Sequence, residues 1–330
     1  MSSGAPSVER ELARFRERFE ALRRNVARVI VGHEEVVEQV LLALVAGGHA
    51  LLEGVPGIGK TLLFRTLARS LELSFSRIQF TPDLMPADIV GTNVMVETPE
   101  GGRAFEFREG PIFGQMILAD EINRATPKSQ SALLEAMEER RVTVSRTTYD
   151  LPRPFFVMAT QNPLEMEGTY PLPEAQLDRF LFKIVARTPS AEEIERIVDR
   201  TTGKTATDVE PVADAATLSS MQALARQIVL PDHLRAATAA AVLATHANEK
   251  GSVELAKKYV RYGSSPRGAQ AMVLAGKVRA ASAGRLNVSA EDLRAVALPA
   301  LRHRVLLNFE GEAEGVSPDG IVEQAVARIG

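Results

Sequence analysis

The sequence predicts an α/β fold in which a parallel sheet lies between helices and a second, all-helical domain follows. Three observations support this prediction. Short apolar segments with the length of buried strands alternate with helical patterns as far as Pro189, as in parallel sheets that are covered on both faces. After Pro189 the segments have helical patterns only. The 330 residues also suit two domains, at about 150 residues per domain.

The N-terminal region, residues 1–30, is predicted to be a helical lead-in to the sheet. Between residues 7 and 30, apolar side chains such as Phe15 and Phe19 recur at steps of three and four. This spacing is typical of one apolar helix face. A second helix is predicted over residues 34–47, because two glycines end the pattern there.

Five strands are predicted for the core, residues 31–188. They occupy residues 49–53, 75–80, 115–120, 155–160 and 180–186, and helices at 61–71 and 128–139 lie between them. Two further segments have the alternation and central turns of antiparallel hairpins. The first hairpin is predicted over residues 93–107 and the second over residues 141–151.

The rest of the chain divides into a helical domain, residues 189–309, and a tail, residues 310–330. Helices are predicted at residues 191–200, 213–228, 231–248, 253–259, 266–283 and 290–305. The tail begins with an acidic, glycine-rich stretch and ends in one short helix.

Residue composition excludes several kinds of site. The chain has no cysteine, which excludes disulfides, thiolate metal sites and a cysteine nucleophile. A chain without disulfides fits a cytoplasmic protein. The five histidines have no metal-ligand spacing, and we expect them at surface or helix-capping positions.

Charge and hydropathy also limit the partners. The net charge is −3, from 39 basic and 42 acidic residues, so no overall basic surplus attracts nucleic acid. The longest apolar run, from Val40 to Gly48, is far shorter than the ~20 residues of a membrane helix. We therefore expect no specific nucleic acid partner and no membrane insertion.

A glycine-rich loop follows the first predicted strand. Residues 54–61 fit the phosphate-loop pattern G-x-x-x-x-G-K-[ST]. Glycines let the backbone turn its N–H groups toward phosphate oxygens, and the following helix points its positive end at the same place. Lys60 would reach the β- and γ-phosphates, and the Thr61 hydroxyl would bind Mg²⁺. The predicted nucleotide-binding residues of this loop are Gly54, Val55, Pro56, Gly57, Ile58, Gly59, Lys60, Thr61 and Leu62.

Two carboxylates end a later strand. The apolar run that begins at Met116 ends in Asp120 and Glu121. A buried strand would place Asp120 at its carboxyl end, beside the phosphate loop, where open α/β sheets bind ligands. Asp120 would hold Mg²⁺ through water, and Glu121 would polarise the attacking water. Together the two motifs predict hydrolysis of ATP or GTP.

Further motifs resemble one protein family. Residues 120–125 read Asp-Glu-Ile-Asn-Arg-Ala, and residues 130–137 read Gln-Ser-Ala-Leu-Leu-Glu-Ala-Met. These motifs resemble the MoxR family of AAA+ ATPases, within the helix-2-insert clade. The resemblance implies a P-loop core with a parallel five-stranded sheet and a C-terminal all-α lid. The other matching segments, in order along the chain, are residues 31–34, 79–91, 159–163, 173–180 and 263–268.

The resemblance assigns three more residues to catalysis besides Glu121. Asn162 matches the first sensor, whose amide would hydrogen-bond the γ-phosphate and the lytic water. Arg179 matches the arginine that reaches the ATP of the neighbouring subunit, where it would stabilise charge on the transferring phosphoryl group. Arg267 matches the second sensor and would couple loss of the γ-phosphate to rotation of the lid.

The resemblance also concerns the base and the two hairpins. Val31 and Gly32 match the segment that packs against adenine, which favours ATP over GTP. Gln79 would set the orientation of Glu121. The two hairpins match elements that face the pore or the client protein in ring-shaped relatives.

The function that the resemblance implies is chaperone-like, with Mg²⁺-dependent ATP hydrolysis that remodels, matures or activates partner protein complexes. It implies a homo-oligomer in the form of a hexameric ring, a separate von Willebrand factor A domain protein and a client complex. One alternative is the ATPase subunit of magnesium chelatase, although residues 80–91 favour MoxR. A second alternative is a nucleic-acid motor, and the acidic charge balance argues against it. A third is a nucleotide-binding module that does not hydrolyse ATP, and the presence of the full set of catalytic residues argues against that.

Overall fold

A computed structural model describes residues 5–55, 57, 59–99, 102–163, 168–202 and 209–330. Within these ranges the helices are α1 (Ala5–Val29), α2 (Glu34–Ala46), α3 (Lys60–Ser70), α4 (Pro86–Val90), α5 (Pro127–Glu139), α6 (Glu174–Leu177), α7 (Ala191–Thr202), α8 (Ala215–Gln227), α9 (Asp232–Ala244), α10 (Glu254–Tyr259), α11 (Pro266–Ser282), α12 (Ala290–Leu301), α13 (Phe309–Ala313) and α14 (Pro318–Val326). The strands are β1 (Ala50–Glu53), β2 (Phe75–Gln79), β3 (Gly91–Glu97), β4 (Arg103–Glu109), β5 (Met116–Asp120), β6 (Arg141–Val144), β7 (Thr147–Asp150), β8 (Phe156–Gln161), β9 (Phe182–Val185), β10 (Val260–Tyr262) and β11 (Leu306–Leu307).

The central sheet has five parallel strands in the order β2–β5–β8–β1–β9, which confirms the predicted fold class. Ala50 of β1 lies between Met158 of β8 and Phe182 of β9. Because all five strands run the same way, the segments that follow β1, β5 and β8 leave the sheet at one edge, here called the carboxyl edge. The segments that enter β1 and β9 lie at the opposite, amino edge.

Apolar packing covers both faces of the sheet. In β5, Met116 and Leu118 belong to one buried cluster, while Ile117 and Ala119 belong to the other, because successive side chains of a strand point to opposite faces. The first cluster also contains residues of α1, α2, α3, α8, α9, α10, α11, α12 and α14, and the second contains residues of α5. Burial on both faces explains why the strands read as continuous apolar runs. Among the described residues, every helix is too short or too polar to cross a lipid bilayer.

The two predicted hairpins are present as antiparallel pairs, β3 with β4 and β6 with β7. They contact each other through the rings of Phe107 and Tyr149, which stack with centroids 4.1 Å apart. The first hairpin carries Met95 opposite Phe105, and these side chains are 56% and 73% exposed. The hairpins therefore form one unit with an apolar surface open to solvent.

The described residues after Pro189, here called the lid, form helices with connecting loops and one short ribbon. In this ribbon β10 pairs antiparallel with β11. The expectation that only helices follow Pro189 is therefore wrong for these two segments. They are three and two residues long, which is too short to display the alternation that predicts a strand. The predicted tail helix is present as α14, and it is preceded by the short helix α13.

Three of the five histidines are buried, namely His33, which occupies the N-terminal cap of α2 as expected, and His49 and His303. The expectation of surface or capping positions is wrong for His49 and His303, which are both buried. The Val157 N–H donates to Nδ1 of His49 at 3.0 Å, so Nε2 carries the hydrogen and donates to the Met137 carbonyl at 3.2 Å. Burial lowers the pKa of His49 to about 4 and the pKa of His303 well below its usual value.

These buried rings predict a loss of stability in mild acid. The pKa of His49 in the folded chain lies below its ordinary value of 6.5, so the unfolded chain binds more protons at pH values between these two. The free energy of unfolding should therefore fall as the pH drops through this window, by up to about 1.4 kcal/mol per pH unit for each buried histidine. Urea unfolding at a series of pH values measures the slope.

A matched pair of variants tests whether His49 causes this dependence of the free energy of unfolding on pH. His49→Gln should make it shallower, whereas the same change at the exposed His233 should leave it as it is. A folded His49→Gln protein with the native slope would contradict the assignment.

Candidate active site

A cleft of about 400 Å³ lies at the carboxyl edge of the sheet. It forms where the chain leaves β1, β5 and β8, so three distant parts of the sequence meet there. The residues that line it are Gly57, Gly59, Lys60, Thr61, Leu62, Asp120, Glu121 and Asn162. The structure thus brings the glycine-rich loop, the acidic pair and Asn162 together.

The glycine-rich loop joins β1 to α3. Gly57 and Gly59 have φ angles of 86° and 81°, and no atom of the described residues lies within 4 Å of a Cβ built on either. Space beside them is open, but their backbone conformation suits glycine. The Lys60 ammonium donates to the Gly54 carbonyl at 2.5 Å, so its charge lies over the loop.

This arrangement fits a triphosphate. The N-terminus of α3, an open glycine cradle, a lysine and the Thr61 hydroxyl are the groups that bind phosphate and its Mg²⁺. Two of the predicted loop residues, Pro56 and Ile58, lie outside the described residues.

The acidic pair is fixed by the neighbouring strand. Thr160 of β8 donates its hydroxyl to Oδ1 of Asp120 at 2.6 Å, and its Oγ1 accepts the backbone N–H of Glu121 at 2.9 Å. Arg77 of β2 donates to Oδ2 of Asp120 from Nη2 at 2.7 Å and from Nε at 3.1 Å. Glu121 has a φ of 56°, and such left-handed conformations in non-glycine residues cluster at functional sites.

A chain of hydrogen bonds holds the Glu121 carboxylate. Its Oε2 accepts from Nε2 of Gln79 at 2.8 Å and from Nη1 of Arg124 at 3.1 Å. Gln79 in turn accepts from Nη2 of Arg77 at 2.7 Å. The expected contact between Gln79 and Glu121 is therefore present.

Sequence reasoning missed Arg77 and Arg124. Arg77 lies two residues before Gln79 on the same face of an edge strand, a spacing that could have indicated its position.

The segment predicted for the base packs against the first lid helix. Gly32 has a φ of 68°, and a Cβ there would lie 2.5 Å from Oε1 of Glu193. Arg187 holds Glu193 with two bonds of 2.6 Å, and these bonds are the main reason that the pKa of Glu193 is lowered to about 2. Val31, beside Gly32, is buried. The start of α7 and residues 31–32 therefore pack together as one continuous surface.

Arg179 and Arg267 lie elsewhere, at the amino edge. With Gly48 they line a second cleft of about 200 Å³. Gly54 follows Gly48 by six positions along an extended path, which is about 20 Å at 3.3 Å per residue. The structure therefore brings the two arginines together with each other and not with the phosphate loop of their own chain.

An ion pair between the lid and the core anchors both arginine-bearing segments. Arg304 of the lid, which is almost fully buried, donates from Nε to Oδ1 of Asp178 at 2.7 Å and from Nη2 to the Asp178 carbonyl at 2.8 Å. The same Oδ1 accepts the Ser265 hydroxyl at 2.7 Å. Asp178 precedes Arg179, and Ser265 lies two residues before Arg267. This junction therefore fixes the two arginines relative to each other.

The chain is similar to known proteins along almost its whole length. The family described as "ATPase family associated with various cellular activities (AAA)" matches residues 49–182, and the family described as "AAA lid domain" matches residues 252–325. Chaperone MoxR1 of Mycobacterium tuberculosis is 42% identical over 305 residues, which cover 92% of this chain and 80% of that protein. Protein MoxR of Paracoccus denitrificans is 32% identical over 96% of both chains. The crystal structure of a candidate ATPase from Cytophaga hutchinsonii is 38% identical, has a TM-score of 0.91 and covers 99% of this chain and 98% of that chain.

Proposed function

The chain belongs to the MoxR family of AAA+ ATPases and is itself an ATPase, and on this premise we propose that it uses Mg²⁺-dependent ATP hydrolysis to remodel, mature or activate partner protein complexes. The supporting observation is the separation of the phosphate cleft at the carboxyl edge from the two arginines at the amino edge. A catalytic site divided in this way is complete only where two copies of the chain meet. Hydrolysis is then coupled to assembly, as a remodelling machine requires.

Within one subunit, the carboxyl-edge cleft would bind and cleave the nucleotide. Lys60 would contact the β- and γ-phosphates, and Thr61 and Asp120 would hold Mg²⁺, which when bound neutralises phosphate charge. Glu121 would accept the proton of the attacking water, held in position by its hydrogen bonds. Asn162, at the end of the neighbouring strand, would hydrogen-bond the γ-phosphate.

The base of the nucleotide would lie against residues 31–32, and this contact favours ATP over GTP. Support comes from the close contact of Gly32 with α7 and from the exposed apolar side chain of Leu62 in the first turn of α3. The contact of residues 31–32 with α7 would let the occupant of this site bias the orientation of the lid. Because ATP is the substrate, we place the reaction in the cytoplasm, which supplies it.

The neighbouring subunit would supply Arg179 and Arg267 to the same phosphates. AAA+ proteins are generally oligomeric, and a closed ring, for which we propose six subunits, would give every cleft one such neighbour. A guanidinium from a second subunit stabilises the charge that develops on the transferring phosphoryl group.

The partner would be engaged through the two hairpins. Met95 and Phe105 present exposed apolar surface on a strand pair that stands outside the central sheet. Exposed apolar patches are typical of protein interaction sites. We propose that the hairpins contact a client complex and that a separate von Willebrand factor A domain protein takes part.

The proposal is tested by trapping the ATP-bound protein on its partner complex. Glu121→Gln protein loaded with ATP should retain a partner complex that Lys60→Ala protein, unable to bind ATP, does not retain. The isolated complex should then raise the ATPase rate of the native protein several-fold and leave the protein when ATP is hydrolysed. DNA and RNA at physiological salt, where non-specific binding is weak, should leave the rate unchanged. Stimulation by nucleic acid and by no protein complex would overturn the proposal in favour of a nucleic-acid motor.

A further inference from the structure

One carboxylate holds both arginines of the amino edge. Glu138, in the last turn of α5, forms an ion pair through Oε2 with Nη2 of Arg179 at 3.0 Å, and its Oε1 accepts a hydrogen bond from Nη2 of Arg267 at 2.6 Å. The two arginines come from different parts of the chain, one just before β9 and the other in the first turn of α11. Each carboxylate oxygen of Glu138 therefore contacts one guanidinium group. Through the contact with Arg267, α5 of the core is joined to the lid.

The charges of this group do not balance. Two guanidinium groups carry two positive charges and Glu138 carries one negative charge, so these three side chains together carry a net positive charge, while Glu135, Glu139 and Arg141 line the cleft beside Arg179. The side chains of Arg179, Arg267 and Glu138 are 31%, 44% and 37% exposed. An anion can therefore reach the arginines from solvent, and one with more than a single negative charge would bind them more strongly than Glu138 does.

We infer that Glu138 is a gate on subunit assembly: it holds Arg179 and Arg267 in the separate subunit and gives them up only to the phosphates of a neighbour's ATP. This inference rests on the proposed function, in which both arginines serve the neighbouring cleft. A triphosphate carries more charge than one carboxylate and offers several oxygens to planar guanidinium groups. A diphosphate lacks the γ-phosphate and competes less well. The gate therefore makes assembly depend on which nucleotide is bound.

The gate can be removed without displacing the arginines. The Arg304–Asp178 junction anchors both segments independently of Glu138, because its hydrogen bonds run to Ser265 and to the backbone around residues 178–181. Glu138 is more than a third exposed, so glutamine fits in its place. Glu138→Gln thus removes the competing charge and keeps the shape of the site.

The test compares two neighbouring glutamates on the same helix. Glu139 is also exposed, and its partner is Arg141 at 3.0 Å, outside the arginine pair. In Glu138→Gln the protein concentration that gives half-maximal ATPase rate per subunit should fall by about 3- to 10-fold, the effect of removing two exposed ion pairs. In Glu139→Gln it should stay at the native value. Sedimentation with ADP should show that Glu138→Gln, unlike the native chain, assembles measurably without the γ-phosphate.

Two further readouts separate a gate from other roles. The affinity for ATP below the assembly range should be unchanged, and the saturated turnover should stay within about two-fold of the native value. A large loss of saturated turnover would mean that Glu138 positions the arginines, and it would overturn the gate. An assembly curve identical to that of Glu139→Gln would overturn it as well.

The failure of the gate is distinguishable from that of the proposed function. If Arg179→Ala hydrolyses ATP normally, the proposal of an active site shared between subunits is wrong, and the gate, which depends on that proposal, is wrong as well. If Arg179→Ala is inactive and Glu138→Gln assembles as the native chain does, only the gate is wrong.

Discussion

Glu121→Gln protein should bind ATP with native affinity and hydrolyse it at least about 100-fold more slowly, since the amide cannot accept the proton of the attacking water. Glutamine has nearly the same shape as glutamate. The Gln79 and Arg124 side chains, 2.8 Å and 3.1 Å from Oε2, would still meet an oxygen if the amide turns it toward them. The variant therefore removes the base and keeps the cleft.

Phosphate release at saturating ATP and calorimetric titration measure the two quantities separately. Glu72→Gln is the matched control, because Glu72 is exposed and also has a left-handed conformation, with a φ of 49°. It should keep both native turnover and native affinity. Residual turnover in Glu121→Gln above about a tenth of the native rate would place the catalytic base on another residue.

Arg179→Ala protein should also bind ATP normally but lose turnover by about 10³- to 10⁵-fold, the range for arginines that act across an interface. Arg179 lies at the amino edge of the sheet, so it cannot reach the phosphate loop of its own chain without crossing the sheet. For the same reason, the ATPase rate per subunit of the native protein should rise with protein concentration.

Mixing two inactive variants gives a sharper result. In a ring formed from equal amounts of Arg179→Ala and Glu121→Gln, roughly a quarter of the interfaces pair an intact Glu121 with an intact Arg179 from the neighbour. Turnover should therefore return to a measurable fraction of the native rate. Arg23→Ala, which removes an exposed arginine paired with Glu20 on α1, should be fully active alone. An inactive mixture, in rings shown to contain both variants, would rule out the role of Arg179 across the interface.

The carboxyl-edge cleft could be predicted because its signals are contiguous in the sequence. The glycine-rich loop lies directly between β1 and α3, and Asp120 and Glu121 end a strand that is apolar throughout. Parallel strands in one sheet then bring these segments together without further information. The five strands were predictable for a related reason, since burial on both faces leaves an unbroken apolar run.

The arginine cluster at the amino edge depends on pairs that lie far apart in the sequence. Glu138 and Arg267 are separated by 129 residues, and Asp178 and Arg304 by 126 residues. In the sequence, Glu138 belongs to a run of charged residues at a helix end, which resembles an ordinary solvated face. Its role depends on how the lid packs against the core, and no local pattern carries that information.

Because the rings of Phe107 and Tyr149 stack, the structure of each hairpin depends on the other. Each ring covers a face of the other, and Phe113 packs edge-on against both. A chimaera whose first hairpin came from a relative without an aromatic residue at the position of Phe107 would lose this stacking. On the proposal that the hairpins contact the client complex, client preference should transfer between relatives only when both hairpins are exchanged together.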